Sequence, residues 1–171
     1  LGGGRDARRR DGEGGAVTAW WLCAAAKQRR AQVNARYSER DRTSDGAIGN
    51  VAHMSKRSGH NPATADNWMH GFCEFPPSDP PGAVRAWDLD EDFVVKDDAR
   101  AKQLLREMIA LDDPRVAYMI HEGFKYVRAR HWLREVYRGL NAHKKHIHCS
   151  FAPAGDNDAT PFALPILEVP T

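Results

Sequence analysis

A chain of 171 residues suits one domain with one core and requires no second domain. Hydrophobic residues at 42% and charged residues at 28% exclude a fibrous or wholly disordered polymer, and a net charge of +2 is too small to argue for a nucleic-acid partner. Cys23, Cys73 and Cys149 cannot all pair and none stands in a Cys-x-x-Cys, so neither a disulfide framework nor a thiolate zinc site is expected.

Residues 1–15 are rich in Gly and Arg and hold too little apolar surface to fold, so they read as a disordered tail. Residues 16–171 read as the single domain. The apolar patch Ala19-Trp20-Trp21-Leu22-Cys23-Ala24-Ala25-Ala26 is far shorter than the roughly 20 residues of a membrane span. Its continuation through Lys27-Gln28-Arg29-Arg30 and Val33 has the pattern of an amphipathic helix ending near Tyr37. Residues 38–90 are loop-rich: Ser44-Asp45-Gly46 reads as a turn, and Pro76-Pro77-Ser78-Asp79-Pro80-Pro81-Gly82 forbids helix and central strand alike. Between His60 and Gly82, the stretch with Trp68, His70 and Phe72 is either a lid-like insertion or a disordered surface loop.

Beyond that stretch the pattern becomes regular. Asp97 and Asp98 are placed to cap a helix whose apolar stripe is Ala101, Leu104, Leu105, Met108 and Ile109, ending before Asp113-Pro114. Val116 to Ile120 and Phe124 to Val127, joined through Glu122-Gly123, predict a β-hairpin. Strands that follow helices and long loops, without strict βαβ alternation, predict an α+β fold with a small antiparallel sheet.

The densest chemistry is in His143-Lys144-Lys145-His146-Ile147-His148-Cys149-Ser150-Phe151. In a strand, His146, His148 and Ser150 share one face and Ile147, Cys149 and Phe151 the other, so one face packs and the other carries paired imidazoles. Histidine is the commonest zinc ligand, and a catalytic zinc takes three protein ligands and leaves one position open. Partners stand upstream in Arg57-Ser58-Gly59-His60 and Ala86-Trp87-Asp88-Leu89-Asp90. His53, His70, His121 and His131 have no partners at diagnostic spacing and read as surface or core residues.

Ser58-Gly59-His60, then Ala86-Trp87-Asp88-Leu89, then His146-Ile147-His148 resembles the signature of the zinc peptidoglycan peptidases, the superfamily of D-Ala-D-Ala carboxypeptidases, lysostaphin-type endopeptidases and the hedgehog fold. The likeness is nearest to the D-Ala-D-Ala carboxypeptidase-like lysin domains of actinobacteria and their phages. It takes in Gln32-Val33-Asn34, Arg42-Thr43-Ser44-Asp45-Gly46-Ala47-Ile48-Gly49, His60-Asn61-Pro62, Asp113-Pro114-Arg115-Val116-Ala117-Tyr118-Met119-Ile120 and Tyr137-Arg138-Gly139-Leu140-Asn141-Ala142-His143, most of residues 17–152. This chain departs from the pattern at Gly59, where Asp is frequent, at Ala142, where Pro is frequent, and in the long interval from His60 to Asp88.

The resemblance implies zinc as cofactor, held by His60, Asp88 and His148, with Asp90 as the alternative carboxylate. It implies His146 as the base, with His143 either orienting His146 or meeting the tetrahedral intermediate unless it is an exposed loop residue. By their own chemistry Arg57 is suited to hold a substrate carboxylate or the oxyanion, and Ser58 to hydrogen-bond a ligand or steady its loop, or each is simply structural. The expected substrate is a peptidoglycan stem or cross-bridge peptide with D-amino acids, cut by an endopeptidase in preference to a carboxypeptidase. No nucleic acid or membrane is expected as partner, and the chain is expected to be a monomer acting on the cell wall, secreted or released by a phage. Two other classes stay open: a non-catalytic zinc-binding wall-recognition module, and a histidine-metal nuclease suggested by His60-Asn61 and the basic tail.

Overall fold

A computed structural model describes residues 19–49, 56–96, 99–139 and 141–168. The architecture is α+β, with a small antiparallel sheet flanked by few helices. The expected tail, the proposed caps Asp97 and Asp98, and His53 lie outside the described residues.

The chain opens with a two-residue strand, β1 (Trp21–Leu22), where a helix was expected to be under way. Trp21 and Leu22 pair in parallel with Ala83 and Val84 of β2 (Ala83–Val84), and this pairing holds the apolar patch extended. Helix α1 (Ala24–Arg36) then starts with its first amide already satisfied, because Ala24 N–H donates to the Asp156 carbonyl at 2.8 Å. It ends at Arg36, with Tyr37 as the following cap residue.

The stretch from His60 to Gly82 is ordered rather than loose. It contains a short helix, α2 (Ala65–Met69), capped by the Thr64 side chain accepting from Asn67 N–H, and Ala63 N–H donates to the Ala83 carbonyl at 2.8 Å. The Pro-rich run leads into β2 and then β3 (Ala86–Asp90). Helix α3 (Ala99–Leu111) buries Ala101, Leu104, Leu105 and Met108, the spacing of one helical face.

The hairpin forms as predicted from β4 (Val116–His121) and β5 (Phe124–Val127). Glu122 and Gly123 have φ of 48° and 78°, so both positions of this two-residue turn are left-handed, as a type I′ hairpin requires. The edge strand β6 (Leu133–Val136) was not anticipated, because Leu133, Arg134, Glu135 and Val136 carry no clear alternation and only Glu135 is not largely exposed. The histidine strand β7 (His146–Phe151) lies centrally in the order β3-β7-β4-β5-β6.

The alternation in β7 sorts the two faces of the sheet. Ile147, Cys149 and Phe151 are fully buried with Trp87 and Leu89 of β3, Met119 of β4, and the apolar stripes of α1 and α3. His146, His148 and Ser150 face the opposite side, where His60 meets His148 and Glu74 meets Ser150. No helix among the described residues is long and apolar enough to cross a membrane.

Phe151 is the largest β7 side chain on the helix-facing side, so Phe151→Ala is expected to lower unfolding stability by about 3–5 kcal/mol. Urea unfolding checks this against Val95→Ala, where an exposed side chain should cost no more than about 0.5 kcal/mol.

Candidate metal centre

Strand register builds the site. Asp88 of β3 stands directly opposite His148 of β7, and Asp90 opposite His146, so antiparallel pairing puts a carboxylate beside each imidazole. Asp88 is further fixed from its free edge, because its N–H donates to the Gly46 carbonyl at 2.7 Å and its carbonyl accepts from Gly46 N–H at 3.1 Å.

His60 reaches the same point from the covering loop. Its N–H donates to Ser58 Oγ at 3.2 Å, its carbonyl accepts from Gly49 N–H, and the neighbouring Gly59 carbonyl accepts from Arg85 N–H. Ser58 thus steadies the loop that carries His60. Asn61, buried next door, donates to the Lys56 and Phe72 carbonyls and locks the turn.

Three donor atoms converge. His60 Nε2 lies 3.3 Å from Asp88 Oδ1 and 3.1 Å from His148 Nδ1, and His148 Nδ1 lies 2.9 Å from Asp88 Oδ1. Ligands about 2.0–2.1 Å from a tetrahedral ion stand about 3.3 Å apart, so the triangle fits a metal ion with only a small opening. The proton inventory agrees: His60 Nδ1–H points at the Ala47 carbonyl at 2.6 Å, which commits the ring proton there and turns the Nε2 lone pair inward. Among the described residues His60, Asp88 and His148 therefore form a group that can hold a metal ion. Asp90 does not join it, since its oxygens accept from Ser44 and Asp92 N–H at 2.8 and 2.9 Å.

A carboxylate that sequence reasoning missed supports the centre. Glu74 accepts from Ser150 Oγ at 2.7 Å and from the Tyr118 hydroxyl, and the Tyr118 ring stacks on His148 with centroids 5.5 Å apart. A β-carbon on Gly59 would stand 2.8 Å from Ser150 Oγ and 3.1 Å from Glu74 Oε2. An Asp at that position has no room here, and Glu74 already brings a carboxylate to the place. Its only sequence signal is a single acid between Cys73 and Phe75.

His146 and His143 complete the cluster. His146 Nε2 is 3.8 Å from Asp88 Oδ2, and the His143 ring meets both His146 and His148 edge-on, with centroids 4.9 and 5.4 Å away. His143 is 7% exposed, so it is not an exposed loop residue. It is held at φ 51°, a left-handed conformation that costs roughly 1–2 kcal/mol for a residue with a β-carbon. Arg57 stays outside the cluster: its exposed guanidinium donates to the Glu74 carbonyl at 3.1 Å. His70 is exposed and bonds within α2, whereas His121 forms a buried pair with Glu91 at 2.6 Å.

No family model, curated protein or solved structure matches this chain.

Burial alone would push the Asp88 carboxyl up, but hydrogen bonds from His148 and His60 hold it well below the usual carboxylate range. Burial opposes charge on His60, yet the Asp88 hydrogen bond and charge and the Ala47 carbonyl raise it above its ordinary value. Burial lowers both His146 and His143, and neighbouring imidazoles help to push His143 down to about 3.

These shifts act on metal-stripped protein in different pH windows. Folding favours protonated His60, so its contribution is full below about 6.5 and is lost as pH rises through its higher folded value. Folding favours neutral His143 and His146, so theirs is full above about 6.5 and is lost as pH falls toward their lower folded values. The depressed Asp88 contributes in full above about 4 and loses that contribution as pH falls further. Thermal unfolding in chelator from about pH 5 to about pH 8 is expected to peak near pH 6.5, and a monotonic trend contradicts this assignment of charge.

Proposed function

We propose that this chain is a zinc-dependent peptidase of the D-Ala-D-Ala carboxypeptidase-like, hedgehog-related fold, hydrolysing peptidoglycan stem or cross-bridge peptides that contain D-amino acids. The observation that carries the reading is the His60, Asp88, His148 triangle with a neutral histidine, His146, beside the second oxygen of Asp88. Two imidazoles and one carboxylate are the donor set of zinc hydrolases, which leave a position open for water and substrate. The ordered motifs quoted above support peptidoglycan as the substrate class.

Zinc supplies a Lewis acid for the scissile carbonyl and lowers the pKa of a bound water to roughly 7. The protein supplies the rest. His60, Asp88 and His148 are preorganised by the Ala47 carbonyl, the β3–β7 register and the Tyr118 stack. His146, kept neutral by burial, has a free lone pair to take the proton of the attacking water and return it to the leaving amine. His143 packs on His146 and fixes its orientation.

Substrate approach is favoured from the depression of about 410 Å³ lined by Ser44, Asn141, Ala142, Lys144, Lys145 and His146. Its exposed lysines suit a peptide carrying free carboxylates, and none of the five tryptophans lines it. Trp87 is buried in the core instead. Presence of His146 argues against a wall-binding module that has lost catalysis, and the nuclease reading needs a phosphate-binding groove that these two lysines alone do not make. Action on the wall, outside the cell that makes the chain or after phage lysis, follows from the substrate proposed.

Removing one of three ligands under-coordinates the ion, so His60→Ala, Asp88→Ala and His148→Ala are each expected to release most of the first equivalent of zinc, while Asp90→Asn retains it. Elemental analysis of dialysed protein checks both. His146→Ala should keep that first equivalent while turnover falls about 100-fold or more, the loss expected for a general base.

Incubation of purified muropeptides should expose new amino termini by mass spectrometry and leave glycan intact. Free D-Ala as sole product moves the assignment to a carboxypeptidase; reducing sugar ends, or nicking of plasmid DNA without peptide cleavage, remove it.

A further inference from the structure

The metal centre uses the Asp88 carboxylate from one side. Oδ1 meets His60 and His148, while Oδ2 is turned to His146 Nε2. On that second side a carboxylate oxygen of Asp88 and one ring nitrogen each of His143 and His146 lie within 4.8 Å of one another. His143 Nδ1 and His146 Nε2 are both buried and have no hydrogen-bond partner among the described residues. Buried polar atoms are seldom left so, and a bound ion is one of the few explanations.

The loop that carries His143 is held firmly. The His143 carbonyl accepts from Glu122 N–H at 3.0 Å, the Ala142 carbonyl from Gly123 N–H at 2.7 Å, and His143 N–H donates to Asn141 Oδ1 at 3.0 Å. These bonds fasten the loop to the β4–β5 turn and keep His143 left-handed. The Tyr137 ring backs the imidazole with centroids 5.3 Å apart.

We infer that Asp88 Oδ2, His143 and His146 form a second cation site, specific for a borderline divalent ion of the zinc class, which shares Asp88 with the first. Two imidazoles and a carboxylate suit zinc, cobalt, nickel or copper, not the oxygen-seeking magnesium or calcium. Ions clamped in such two-metal sites stand about 3.5–4 Å apart. Asp90, opposite His146 in register, adds negative charge on this side. Repulsion between two dications, and the exposed Lys144 and Lys145 at the entrance, make the second site the weaker one.

This deepens the peptidase reading and rests on it, because His146 cannot be ligand and base at once. Zinc at one equivalent activates the protein, and zinc in excess occupies His146 and silences it.

The test is a zinc titration of metal-stripped full chain by calorimetry, with bound metal counted after dialysis against buffered free zinc. Wild type is expected to take two equivalents, the second at least about tenfold more weakly. His143→Asn removes the imidazole but keeps a residue tolerant of the left-handed conformation, and should take one. Wild-type hydrolysis should fall about 100-fold as the second equivalent loads, whereas the rate of His143→Asn, at whatever level it starts, should not fall over that range. Should circular dichroism show that His143→Asn does not fold, the wild-type stoichiometry decides alone. A single equivalent in wild type, or two in folded His143→Asn, overturns the second site and leaves the peptidase reading standing; no bound zinc in wild type overturns both.

Discussion

Everything at the candidate metal centre depends on the pairing of Asp88 with His148 across β3 and β7. Side chains in a strand alternate with a period of two, so a slip of one residue would send both groups to the opposite face. Such a slip is prevented by the other face. Trp87 and Leu89 of β3, and Ile147, Cys149 and Phe151 of β7, are buried to 1% exposure or less, and any shift would expose all five. The apolar core therefore sets the geometry of the polar site: burial against α1 and α3 decides that Asp88 stands opposite His148 on the polar face.

Around that pair the covering loop fixes the candidate metal group further. The Ala47 carbonyl takes the His60 ring proton, and Glu74 ties Ser150 of β7 to Tyr118 of β4 beneath His148. Glu74 also explains why Gly59 carries no side chain. The carboxylate at that place comes from Glu74, 15 positions after Gly59, in the segment held by α2 and the Ala63–Ala83 bridge.

What the sequence made legible is what obeys a period or a turn rule. The two faces of β7, the α3 stripe, the Glu122-Gly123 hairpin and the two histidines His60 and His148 of the candidate metal group were readable because alternation, helical spacing and short motifs are local. The pairing of β1 with β2 was not, since two-residue strands carry no period and Trp21-Leu22 passes equally for the start of a helix. Glu74 and the choice of Asp88 over Asp90 required tertiary contacts: both carboxylates lie on the same strand, and only the Ser44 and Asp92 amides show which one is occupied. Arg29 is the sharpest case. It sits within a polar run yet is fully buried, its guanidinium 5.5 Å from the centre of the Trp87 ring, with Arg40 near the same ring.

The separation of the ligands in sequence has a consequence for synthesis. His60 and His148, in contact in the folded chain, are 88 residues apart. During translation, which proceeds at about 5–20 residues per second, the first two ligands wait several seconds for the third. Until β7 has been made and has entered between β3 and β4, His60 and Asp88 have no partner strand to align them. A nascent chain thus offers metal ions only scattered single donors, and the complete site appears together with the central strand of the sheet.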